Sequence, residues 1–149
     1  MEIAIIIIGI LMDRITKVWA LKTIKFGNDI VIIKDFFSIQ YLENRGAAFG
    51  IFQGKTLLLS IVTLIVILAI IYYLIKYKKE IHKLTRISLA LIIGGALGNL
   101  YDRIIYKYVV DFIMLHYKDI YYFPTFNIAD ILVVVGTVAL AISILREGK

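Results

Sequence analysis

Leu57-Leu58-Leu59-Ser60-Ile61-Val62-Thr63-Leu64-Ile65-Val66-Ile67-Leu68-Ala69-Ile70-Ile71-Tyr72-Tyr73-Leu74-Ile75 runs without a charge. A helix rises about 1.5 Å per residue, so a run of this length matches the ~30 Å of hydrocarbon in a bilayer. It is too long for a strand, and it has no polar face to offer water. Three further apolar stretches flank it. With the quoted run extended to 56–76, the four lie at roughly 2–22, 56–76, 85–105 and 127–146. The first is the least regular, because Asp13, Arg14 and Lys17 interrupt it. It begins with Glu2 rather than a basic run, and no small-residue cleavage pattern follows. It therefore reads as a retained helix, not a removed leader. The expected architecture is an all-α polytopic membrane protein. It is a single membrane-embedded domain over 1–149 with four transmembrane helices and a small extracytoplasmic platform made by the outer segments 23–55 and 106–126.

Composition agrees. The chain is 61% hydrophobic with a mean hydropathy of +0.89, beyond the range of soluble domains. Its formal charge is +6. The densest basic cluster, Lys76, Lys78, Lys79, Lys83 and Arg86, lies between two apolar runs and is opposed only by Glu80. Positive loops stay in the cytoplasm, so 76–86 and both termini belong inside, and the two outer segments lie outside. The cluster is too narrow for a nucleic-acid face. With no cysteine, disulfides, thiolate chemistry and Cys-bound metals are excluded, and His82 and His116 alone make no His-cluster metal site. Neither metal nor cofactor is expected.

The outer segments have character of their own. Residues 30–42 are rich in β-branched and aromatic side chains and read as a strand. Gly46, Gly50 and Gly54 then mark a loop. Tyr117, Tyr121, Tyr122, Phe123 and Phe126 suit the lipid–water interface, and Pro124 marks the entry to the last span.

The informative residues are polar ones set against lipid. Asp13 and Lys17, four apart, share a helix face and read as a neutralised pair holding helices together; Arg14 points elsewhere and needs its own partner. Asn99, Asp102 and Arg103 also share a face, just after Gly94 and Gly98, whose spacing permits close helix packing. That cluster reads as scaffolding for a polar site or as a grip on a peptide backbone. Asn127 and Asp130 lie three apart at the start of the last span, where they could simply cap a helix. Asp111 could by itself be a plain loop acid. Against both bland readings stands convergence. The third span ends, and the fourth begins, on the same outer face, and the connection is long enough to bring Asp111 back to Asp130. Two carboxylates at close range share one proton. The charged one can draw a proton from water while the neutral one polarises a carbonyl, which is peptide hydrolysis without metal, serine or cysteine.

Five blocks in order carry a resemblance over nearly the whole chain. They are Asp13-Arg14-Ile15-Thr16-Lys17; Asn44-Arg45-Gly46-Ala47-Ala48-Phe49-Gly50; Gly94-Gly95-Ala96-Leu97-Gly98-Asn99-Leu100-Tyr101-Asp102-Arg103; Val109-Val110-Asp111-Phe112; and Phe123-Pro124-Thr125-Phe126-Asn127-Ile128-Ala129-Asp130. The sequence resembles the lipoprotein signal peptidases (signal peptidase II), with no departure at a matched polar position. The resemblance implies four spanning helices and an extracytoplasmic β-cradle in a bacterial cytoplasmic (inner) membrane. It also implies an aspartyl endopeptidase that cuts prolipoprotein signal peptides before a diacylglyceryl-modified cysteine. By the same resemblance Asp111 and Asp130 are the catalytic dyad. Asn44, Gly46, Asn99, Arg103 and Asn127 bind substrate or order the site, and Asp13, Lys17 and Asp102 are supports. Expected partners are the diacylglyceryl-prolipoprotein substrate and membrane lipid, with no nucleic acid, and the chain is expected to act as a monomer. Phe112, Phe123, Phe126 and the Gly46–Phe49 loop are expected to form a lid, with Gly46 supplying a permissive backbone. The alternative from the polar residues alone is a small proton- or ion-coupled transporter, although no repeated halves are visible.

Overall fold

The computed structural model describes residues 1–47 and 51–147, without the side chain of Glu147. Among the described residues the order is α1 (Glu2–Thr23), β1 (Ile30–Ile33), β2 (Phe37–Asn44), α2 (Thr56–Tyr77), α3 (Lys83–Ile105), β3 (Val109–Tyr117), β4 (Tyr121–Tyr122) and α4 (Ile128–Glu147). Three of the helices, Thr56–Tyr77, Lys83–Ile105 and Ile128–Arg146, are long and apolar enough to cross a membrane. α1 is long enough but carries Glu2, Asp13, Arg14, Lys17 and Lys22.

The four helices have the burial pattern of an inside-out protein. α3 is central and packs against α1, α2 and α4. α1 buries Gly9, Asp13, Lys17 and Ala20, a stripe one turn apart, and exposes Ile7, Ile8, Leu11, Met12, Ile15 and Trp19. α2 buries only Ile67 and turns the rest of its apolar surface outward. Charged groups inside and bare hydrocarbon outside make sense only if the surroundings are apolar. The glycines of α3 let its neighbours close in. A Cβ on Gly94 would meet the backbone of Ile6 at 3.4 Å, one on Gly98 would strike the Asp13 carboxylate, and one on Gly95 would strike the Ala129 carbonyl.

The outer segments fold into one antiparallel sheet of order β1-β2-β3-β4. The single strand expected over 30–42 is a hairpin: the chain turns at Lys34–Phe36, with Asp35 at φ 62°. An aspartate tolerates that left-handed conformation, so the turn needs no glycine. The small β-cradle that the resemblance implies is present as this sheet, beside a mostly helical body. β3 lies where an aromatic loop was expected, and it pairs with β2 in the register Leu42↔Asp111 and Asn44↔Val109. Ala20 and Ile24 of α1 pack with Val110 and Phe112 of β3, which seats the sheet on the end of the bundle.

Candidate active site

Asp111 lies in the middle of a strand, so its neighbours point the other way. Val110 and Phe112 go into the core against α1, while Asp111 faces a cleft of about 750 Å³ between β3 and the start of α4. The chain after β4 returns along β3, where the N–H of Ile113 donates to the Phe126 carbonyl at 2.8 Å. That return delivers Asn127, the residue before α4, beside Asp111.

Asn127 binds in two directions. Its Oδ1 accepts from the Asp130 N–H at 2.9 Å, and its own N–H donates to Asp130 Oδ2 at 3.1 Å. This reciprocal pair is a capping box, so the local helix-cap reading holds. The convergence reading holds as well, because the Asn127 amide group donates to Asp111 Oδ1 at 2.6 Å. The same Nδ2 lies 3.1 Å from Asn99 Oδ1 and 3.3 Å from the Val110 carbonyl. One residue thus ties both carboxylates together at the lip of the cleft.

Each remaining oxygen of the two acids has a donor. Asn44 Nδ2 donates to Asp111 Oδ2 at 3.0 Å, and Asn99 Nδ2 donates to Asp130 Oδ1 at 2.8 Å. A carboxylate has about four acceptor positions, so both acids keep unused lone pairs, and both line the cleft. Burial pushes the Asp111 carboxyl up to about 7, and the charge of Asp130 adds to the rise; the amides of Asn44 and Asn127 only partly oppose them.

A buried layer of charge lies beneath. Lys17 Nζ donates to Asn99 Oδ1 at 2.9 Å and pairs with Asp13 Oδ2 at 2.9 Å and Asp102 Oδ2 at 3.0 Å. Lys17, Asp13 and Asp102 are all fully buried. Since the Asn99 oxygen is held by Lys17 and Asn127, its NH₂ is left to face Asp130; the lysine fixes which way that amide points. Asp13 also accepts from the Ala129 N–H at 3.0 Å, and Asp102 from the Val110 N–H at 3.1 Å, so each support grips the backbone next to one of the cleft acids. Arg14 finds the partner it needs in Asp102 and stacks on Tyr101 at 4.6 Å. The Asp13–Lys17 pair is thus as expected, but it reaches the cleft through Asn99 rather than serving helix cohesion alone.

Arg103 lines the cleft and donates to the Gly46 carbonyl at 3.2 Å, while Asn44 Oδ1 accepts from the Gly46 N–H at 2.9 Å. Gly46 is buried, and a Cβ there would lie 2.7 Å from the Ile51 carbonyl. The glycine is therefore needed for room; the described glycine with positive φ is Gly54, not Gly46. The lid expectation is corrected at Phe112, which belongs to the core, whereas Phe123 and Phe126 do line the cleft. Ala48 and Phe49 lie outside the described residues. Sequence reading missed the apolar wall: Leu42, Leu115 and, down α4, Ile131, Val134 and Val135. The one available signal was their helical or alternating spacing from Asp130 and Asp111. Among the described residues no group of His, Cys, Asp and Glu could hold a metal ion.

An apolar bundle capped by a small sheet, with two acids bonded to one asparagine at its end, defines a membrane-embedded enzyme with acid–base means. Two solved chains, each described as a bacterial membrane enzyme, share this architecture. One superposes with a TM-score of 0.87 at 33% identity, covering 99% of this chain and 89% of that one. The other has a TM-score of 0.82 at 35% identity, covering 97% and 92%. The model of the signal peptidase (SPase) II family matches residues 5–146. The lipoprotein signal peptidase of Clostridium novyi (strain NT) is 66% identical with all of both chains covered; that of Clostridium acetobutylicum is 64% identical, covering 100% of this chain and 97% of the relative. The chain belongs to the signal peptidase II family and is a peptidase. The transporter alternative is set aside by that membership.

Proposed function

We propose that this peptidase is an aspartyl endopeptidase that removes signal peptides from diacylglyceryl-modified prolipoproteins, with Asp111 and Asp130 as its catalytic dyad. The observation that carries the reading is Asn127, which hydrogen-bonds both carboxylates where they line one cleft. In the reaction one acid, ionised, takes a proton from a water held between the pair while the other, protonated, donates to the scissile carbonyl. Water oxygen bonds to the carbonyl carbon, and the gem-diol collapses with a proton passed to the leaving amine. The pair titrates as a unit, so the shared proton belongs to neither acid alone. Asn44, Asn99 and Asn127 hold the carboxylates in place; Arg103 and Gly46 shape the wall against which the peptide lies; Asp13, Lys17 and Asp102 fix that layer from below.

The apolar wall of α4 suits a lipid-anchored substrate. Acyl chains contribute about 0.8 kcal/mol per methylene while they remain in the bilayer, so the enzyme need bind only the glyceryl and peptide portions. In this reading α1 is a fourth span, its charges neutralised inside the bundle, and 1–149 form a single domain. The termini are cytoplasmic, and the cleft opens at the outer face of a bacterial cytoplasmic membrane. The test is cleavage of a synthetic diacylated prolipoprotein peptide by purified protein in detergent. Wild type should cut before the cysteine, and Asp111→Asn and Asp130→Asn should stay folded and lose at least about a thousandfold, the scale at which a covalent or acid–base catalytic group acts. Retained cleavage in either variant would overturn the dyad.

A further inference from the structure

A second cleft, about 570 Å³, opens beside the first, and Leu42, Phe123, Pro124 and Thr125 line both. No step of the proposed hydrolysis uses it. The two differ in where they lead. The first runs down α4 past Ile131 and Val134, toward the surface that faces hydrocarbon; the second leads across the sheet to Asp29 and Gln40. Gln40 Nε2 donates to Asp29 Oδ2 at 3.2 Å, which holds the carboxylate at the cleft edge. Among the described residues no lysine or arginine pairs with Asp29. A peptide cut at Asp111 and Asp130 has two arms. The apolar signal arm suits the α4 wall, and the other arm must leave through a polar opening continuous with the point of cleavage.

We propose that this second cleft binds the mature-side arm of the substrate, the residues that follow the lipidated cysteine, and that Asp29 selects a cationic side chain there. The proposal rests on the endopeptidase reading above. Strand geometry sets the position. Asp111 is paired with Leu42, Gln40 is two residues back along β2, and Asp29 is bonded to Gln40 from the β1 side. The irregularity between Ile39 and Leu42 shortens β2 there, so the step to Gln40 and two strands across is roughly 11 Å, the span of three to four extended residues. The selected side chain is therefore the third or fourth after the scissile bond.

The experiment compares kcat/KM for diacylated peptides that differ only in carrying Lys or Glu at one of the second to fifth positions after the cut. Wild type should favour Lys over Glu by about fivefold, the scale of an exposed ion pair, with the maximum at the third or fourth position. The ratio should approach one in Asp29→Asn and reverse in Asp29→Lys. It should shrink from about 0.01 M to about 1 M salt, as the Debye length falls from roughly 30 Å to 3 Å. Equal Lys-to-Glu ratios in wild type and both variants, with all three cutting, would overturn the assignment of Asp29. A wild-type enzyme that cuts none of the peptides would instead overturn the endopeptidase reading on which it rests.

Discussion

Lys17 is the residue on which the buried polar layer turns. It has no access to water and meets two carboxylates and one amide oxygen. Replacing it with methionine leaves Asp13 and Asp102 without their shared cation, a change of about 3–5 kcal/mol for a broken buried pair. A thermal scan of Lys17→Met should show that loss. Adding Asp13→Asn should recover part of the stability by removing one stranded charge. Turnover should stay low in both, because Asn99 has lost the donor that orients it toward Asp130; recovered turnover in the double variant would refute that positioning. Asp111 gives a second prediction at this scale. Its pKa is raised in the folded chain, to about 7 from the usual carboxylate range, so the folded state favours the protonated acid. The stabilisation is complete below about pH 4 and is lost as pH rises through about 7. Wild-type melting temperature should therefore fall between about pH 4 and 7 and level off above that, and turnover should fall as the shared proton leaves near the upper end. Asp111→Asn should lack that decline in stability; an identical decline would place the titrating group elsewhere.

At the scale of elements, two glycines that look alike in sequence serve different contacts. A Cβ on Gly98 would strike the Asp13 carboxylate between α3 and α1, whereas a Cβ on Gly46 would strike the Ile51 carbonyl within one turn beside the cleft. Gly98→Val should lower both the melting temperature and turnover, since it pushes two helices apart. Gly46→Val should lower turnover alone, since it disturbs only the segment that Arg103 and Asn44 hold. Matching losses of stability in the two variants would contradict this division. The sheet shows how far local signals reach. The run 30–42 has plain strand chemistry, but its turn is made by Asp35 rather than glycine, so the hairpin was not legible. β3 was missed for a similar reason. It follows α3 through Lys107, at φ 66°, with no glycine, asparagine or proline to announce that the helix has ended and a strand begun.

For the whole molecule, orientation is the open prediction, and the absence of native cysteine makes it simple to test. A single cysteine introduced as Lys118→Cys should react with a membrane-impermeant maleimide on intact cells. One introduced as Lys79→Cys should react only after the cells are opened. The reverse pattern would invert the assignment drawn from the basic 76–86 segment.

Through five matched blocks the sequence pointed to the candidate site residues, and by itself it determined the apolar spans and the pairs of polar residues on each helix face. These follow from composition and from the 3.6-residue period, both of which act over a few turns. Tertiary structure decided which residues meet. Only the register of β3 against β2 turns Asp111 to the cleft and Phe112 to the core, and only the return of the chain along β3 brings Asn127 within reach of both acids. Local sequence cannot encode such contacts, because a strand shifted by one residue would present the opposite face with the same amino acids.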